Sequence, residues 1–250
     1  MPEKLKNSLL DIGDYISIGG SEYTKNFKNF VILTLLINLP IAIVGLFLPS
    51  EEQPNPENSW IILIFILLSI ILGTLAALAV PKMIERSIQG QTLSATTALQ
   101  NATPKLFIAL VVSIITAIIV GIGFILLLIP GIWLGVLLSF TFSAIAVRNC
   151  GLNALSYSRS LVKNRWWAVF GRSLLLGLCF AVVYILLAIA VGLISAFISL
   201  SGFESISILT QLISNCCFGL INYYAATVYT VMFLNFDYTR NSPPTSVEPI

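Results

Sequence analysis

The sequence has no histidine, and only 10% of its 250 residues are charged. The first absence removes the commonest general acid–base group and the commonest metal ligand together. The second sets the chain apart from soluble proteins, in which about a quarter of residues are charged. Cysteine is scarce as well. Cys150, Cys179, Cys216 and Cys217 form no CxxC pair, and three of them fall inside apolar runs, where cysteine behaves as a small hydrophobe. Neither a disulfide framework nor a zinc site is expected, and no cofactor is implied. Carboxylates are rare where they would matter most. The eleven acidic residues are spread along the chain, and none clearly enters an apolar run. Intramembrane carboxylates are the usual mark of proton or ion coupling, so their scarcity argues against an ion-driven transporter. A net charge of +2 is too small to suggest a nucleic-acid partner.

What the chain does have is apolar. Hydrophobic residues make up 57% of it, with a mean hydropathy of +0.95. A water-soluble core of this size cannot hide so much Leu, Ile, Val and Phe. An integral membrane protein is expected, with membrane lipids as its surroundings. The first 28 residues are polar and of mixed charge, and the first apolar run begins only at Phe30. No cleaved signal is therefore read.

A helix needs roughly 20 apolar residues to cross the hydrocarbon layer. Six runs meet or approach that length, at about 30–48, 60–80, 106–128, 132–147, 169–200 and 206–236. They are too long, and too evenly apolar, for barrel strands. The connections separate by charge. Residues 49–59 carry three glutamates and no Lys or Arg, whereas all thirteen basic residues lie in 1–29, 81–105, 148–172 and 237–250. Basic residues stay on the cytoplasmic side. The expectation is six crossings with both termini cytoplasmic: an N-terminal interfacial segment at 1–29, a membrane domain at 30–240 and a disordered tail at 241–250. Runs three and four meet at "LIPGIWL" (128–134), where Pro130 and Gly131 suit a tight turn. A plain helical hairpin is expected there; a re-entrant gate is the alternative, with little in the sequence to support it.

Each odd-numbered span follows a moderately polar stretch that ends in a basic and aromatic border. The stretches are "SLLDIGDYISIGGSEYTKNFKNF" (8–30), "QTLSATTALQNATPKLF" (91–107) and "GLNALSYSRSLVKNRWW" (151–167). The first and third set apolar residues near one face, as an amphipathic helix lying in the interface would. Lys25, Phe27, Lys28, Phe30, Lys105, Lys163, Arg165, Trp166 and Trp167 are the expected anchors, cations toward phosphates and rings at headgroup depth. Gly19 and Gly20 are expected to interrupt the first helix, and Pro104 to end the second. The fold class is thus all-α: three transmembrane hairpins, each preceded by an interfacial helix.

The sixth run is the polar exception. Gln211, Asn215 and Asn222 share a helical face, and Tyr229 extends it. Such amides either join helices or line a groove for a lipid headgroup or small solute. Tyr184 is a possible partner on the fifth run. Asn38 and Pro40 lie midway along the first, where the proline shapes the bundle. Gly73 with Ala77, and Ala188 with Gly192, are small pairs that permit close helix contact.

In order, "LLDIGDYISIGGSEYTKNFKNF", "LLLIPGIWLGVLLSFTFSAIAV", "GLNALSYSRSLVKNRWW" and "FLNFDYTR" resemble a bacterial membrane-domain family. It is the membrane region attached to some glycerophosphodiester phosphodiesterases, and it also occurs alone. The resemblance runs to Arg240. It implies the six-helix topology, association with lipid and a bacterial inner or internal membrane. The phosphodiesterase chemistry of the fused members belongs to a separate barrel rich in histidine, so it does not transfer. No Tyr, Ser or Cys has an evident activating neighbour, and no enzyme is expected. The functional expectation is a non-catalytic accessory, assembly or scaffold factor for a membrane protein complex. The alternative is a lipid-binding or permease-like module using the polar face of the sixth run.

Overall fold

A computed structural model describes residues 4–45, 47–48, 59–200 and 204–240. The acidic connection at 49–58, the turn at 201–203 and the tail at 241–250 lie outside the described residues. Among those described, the protein is all helix with no strand. Six helical stretches are long and apolar enough to cross a membrane: Phe27–Gly45, Trp60–Ile88, Ala95–Leu126, Leu128–Arg148, Gly151–Ile198 and Leu209–Tyr238.

The elements are α1 (Lys4–Asn7), α2 (Ile12–Lys25), α3 (Phe27–Gly45), α4 (Ser59–Ile88), α5 (Ala95–Ala102), α6 (Leu106–Leu126), α7 (Leu128–Leu137), α8 (Thr141–Arg148), α9 (Ala154–Val162), α10 (Trp166–Leu200) and α11 (Glu204–Tyr238). Helices α3, α4, α10 and α11 form the body, with α11 packed against the other three. Both described termini lie at one end of it, since the Leu10 amide donates to Asn235 Oδ1 at 3.1 Å. That end also gathers the Lys and Arg side chains of the short helices and is called the basic end below.

The three amphipathic stretches do contain helices, α2, α5 and α9, and one of the expectations about them changes. Gly19 and Gly20 do not interrupt α2, which runs unbroken to Lys25. Gly19 is instead where α2 meets α11: an added Cβ there would come within 2.6 Å of Val228 Cγ2. Along its length α2 touches α11 at Asn235 through Tyr15 and at Leu220 through the Tyr23 hydroxyl, 3.1 Å. It lies lengthwise on the protein with Tyr15, Gly19 and Glu22 buried. Pro104, as expected, falls just after α5, in a single tight turn at Thr103–Lys105.

Helix α4 passes the expected end at residue 80 and carries Pro81 and Glu85 inside it. Proline there forfeits one backbone hydrogen bond but leaves the flanking turns intact. Glu85 and Asp237 are therefore within long helices, near their basic ends and beyond the apolar runs 60–80 and 206–236. The α6–α7 reversal falls on Leu127, whose backbone is extended, with Pro130 in the first turn of α7 where it costs little. The fourth run is broken in two at 138–140. Ser158 of α9 is fully buried in that break; its hydroxyl accepts from the Phe140 amide at 3.2 Å and donates to the Leu137 carbonyl at 2.8 Å. The polar side chain satisfies the two backbone groups that the break exposes.

Candidate binding cleft

The far halves of α3, α10 and α11 spread apart and leave an open cleft of about 550 Å³. Its polar lining is Asn38 from α3, Tyr184 from α10, and Gln211, Asn215 and Asn222 from α11. Gly219 sets the geometry. An added Cβ would fall 2.2 Å from Asn38 Nδ2, so only glycine lets the Asn38 amide cross α11 at this level. Asn38 Nδ2 then donates to the Asn215 carbonyl at 3.3 Å. Tyr184 stacks on Phe218 with ring centroids 6.0 Å apart. Among the described residues, the side-chain amides of Gln211, Asn215 and Asn222 make no hydrogen bond to protein, and all three residues are exposed. An apolar slot of about 270 Å³ adjoins the cleft, sharing Asn38, Ile41, Gly219 and Asn222 and continuing past Ala76, Ala77 and Val80.

Three of the four residues expected to form a groove do converge. Tyr229 does not. Its hydroxyl donates to the Ser173 carbonyl at 3.0 Å, where α10 closes against α11. Tyr229 stays on the same helical face, but that face is covered one heptad further along. Asn38, Phe65 and Gly219 line the cleft and escaped the sequence reading as cleft residues. The Asn38–Pro40 pair was the only signal for the first.

The expected interfacial anchors divide. Phe27, Lys28, Lys163 and Trp167 face outward, Trp167 being 78% exposed. Lys25 points out but pairs with Glu22 at 2.6 Å. Phe30 is a correction: it is fully buried, stacked between Tyr23 and Tyr223. Lys105 turns inward and donates to the Ala146 carbonyl at 2.9 Å, capping the end of α8. Arg165 donates to Thr239 Oγ1 at 2.8 Å, and Trp166 Nε1 to the Trp133 carbonyl at 3.2 Å. Half the border thus joins protein to protein. Asn26 shows the same economy: its amide bonds the Ser87 hydroxyl at 2.7 Å, tying the α2–α3 joint to α4.

A second polar cluster lies at the basic end. Arg148 of α8 bonds Asp237 of α11 through Nε at 2.8 Å and reaches Glu85 of α4 at 3.2 Å. Lys82 pairs with Glu85 at 2.8 Å, and the Tyr157 hydroxyl of α9 donates to Asp237. Every charge has an opposite partner, so the cluster works as a clamp on four helices. Beside it, burial pushes the Cys150 thiol up from its ordinary range. No group of His, Cys, Asp and Glu that could hold a metal occurs among the described residues.

No protein-family model, curated protein or solved structure matches the chain.

Proposed function

We propose that this protein is a non-catalytic membrane protein that holds an amphiphile with an uncharged polar head in the cleft between α3, α10 and α11. The observation that carries the reading is the set of amides on α11 that lack protein partners. Polar groups left bare at membrane depth are costly, and a side chain of this kind marks a ligand or solvent path by default. Among the described residues, no charged side chain lines the cleft. An anionic head would find no cation there, whereas a hydroxyl-rich head, glycerol or sugar, finds donors and acceptors on Asn38, Gln211, Asn215 and Asn222. The adjoining apolar slot suits an acyl chain. The test is a variant carrying Gln211→Leu, Asn215→Leu and Asn222→Leu, purified in mild detergent. It should lose a co-purifying lipid seen by mass spectrometry in the parent protein, with helix content by circular dichroism unchanged. Equal lipid content in both would end this reading.

The second reading is an accessory, assembly or scaffold factor for a membrane protein complex. It is favoured by the far half of α10, where Leu186, Leu193 and Phe197 are 61%, 68% and 73% exposed, Ala188 is exposed and a Cβ added at Gly192 would meet nothing among the described residues. Gentle extraction should then recover a protein partner in fixed ratio; a lone monomer in several detergents would count against it. In both readings the basic end faces the cytoplasm of a bacterial cell, as the charge segregation supports.

A further inference from the structure

The α6–α7 hairpin is seated differently from its neighbours. Helix α6 has 21 residues, so it is about 31 Å long, enough to carry its tip through the hydrocarbon layer. In the first hairpin the far ends do sit at distance: Gly45 and Phe65 meet Gln211 in the cleft, and Gln211 lies about 36 Å along α11 from Asn235. The α6–α7 tip stays near the basic end. Ile129, two residues past the reversal, shares a cavity of about 790 Å³ with Lys163, Arg165 and Trp167. Trp133, a turn further on, accepts from the indole of Trp166, the first residue of α10. Leu137, a turn beyond that, accepts from Ser158 of α9. Arg165 in turn holds Thr239, just past the end of α11. All of α7 therefore lies beside the junction of α9 and α10. An upright α7 would lift Ile129 about 12 Å above Leu137, against the middle of α10 instead. Helix α6 follows it, since Ile119 shares a third cavity with Leu155 and Arg159 of α9.

Among the described residues, nothing covers the outer sides of this hairpin. Ile125, Leu126 and Ile129 are 85%, 69% and 79% exposed, and no charged residue occurs between Leu106 and Val147. Water is excluded as its surroundings by the apolar area alone. We propose that the α6–α7 hairpin does not cross the membrane: it enters the leaflet at the basic end, reverses at Leu127 within that leaflet and returns, covered by that leaflet's acyl chains. The exposed Lys163 and Trp167 beside it mark headgroup depth. Four helices then cross, the hairpin dips, and both termini remain on one side. This is independent of the amide cleft, to which the hairpin contributes no residue.

The test uses full-length protein with its four cysteines replaced by serine or alanine, and one cysteine restored at a time. Asn55→Cys should react with a membrane-impermeant maleimide from the side opposite the termini. Leu127→Cys and Ile125→Cys should not react from that side. A fluorophore on either should be quenched by spin-labelled lipid added to the leaflet on the terminal side. Reaction of Leu127→Cys from the far side, or quenching only by lipid in the far leaflet, overturns the proposal. Ile125→Cys supplies the same readout should the Leu127 variant fail to fold.

Discussion

Single residues in this protein decide whether helices meet. Gly19 and Gly219 are contact points, whereas Gly73 and Gly192 face open space. Gly19→Ala should destabilise the protein by about 1–3 kcal/mol through overpacking against Val228. Gly73→Ala should be neutral or mildly stabilising, because alanine favours the helix and meets nothing. Denaturation in a detergent titration separates the two outcomes. Ser158→Ala strips the break at 138–140 of the buried hydroxyl that bonds the Phe140 amide and the Leu137 carbonyl and should cost about 1–3 kcal/mol, while a serine facing outward, such as Ser160, should tolerate alanine. Tyr15 gives a pH signature. Burial pushes its phenol up to about 12. The unfolded phenol ionises near 10. Its contribution is therefore whole below pH 10 and lost as pH rises from 10 to 12. The thermal midpoint should fall across that window, and Tyr15→Phe should reduce the fall.

At the scale of elements, the polar clamp is what fixes the short helices to the long ones. Arg148→Leu leaves Glu85 and Asp237 buried without their shared cation. The loss should be on the order of 3 kcal/mol, toward the lower end for such sites because the Arg148 side chain is 30% exposed. Arg148→Leu combined with Asp237→Asn should cost less than the sum of the two, which a double-mutant cycle measures. None of this was legible in the sequence. Apolar length revealed the runs because the bilayer demands it, and the position of Gln211, Asn215 and Asn222 on one face followed from helical period. Pairing across helices is another matter. Whether Tyr229 opens on a groove or on α10 depends on how two helices diverge, and whether Phe30 faces lipid depends on a ring from α11. The same limit hid Glu85, since Pro81 read as an end when α4 carries straight through it.

For the whole molecule, packing is uneven. The second half of α11 is buried by α2, α4 and α10, with Val231, Met232, Phe233 and Phe236 fully enclosed. The far half of α10 is mostly bare to its surroundings. The protein thus has a dense basic end and an open far end, and its charge follows the same axis. A tag inserted in the 49–59 connection should be reachable from the side opposite both termini. Accessibility only from the terminal side would reverse the assigned orientation. The open end is also where the bare amides lie, so a ligand has room to enter without disturbing the tightly packed region.

Helix α11 has a consequence for biosynthesis. Leu10 and Tyr15 from the start of the chain, Arg148 from its middle and Arg165 later all close on residues between Asn235 and Thr239. Translation delivers those residues after every element they secure. Earlier helices must wait in the bilayer, unlatched, until this keystone emerges from the ribosome, so a nascent chain stopped before it has its spans but not its joints.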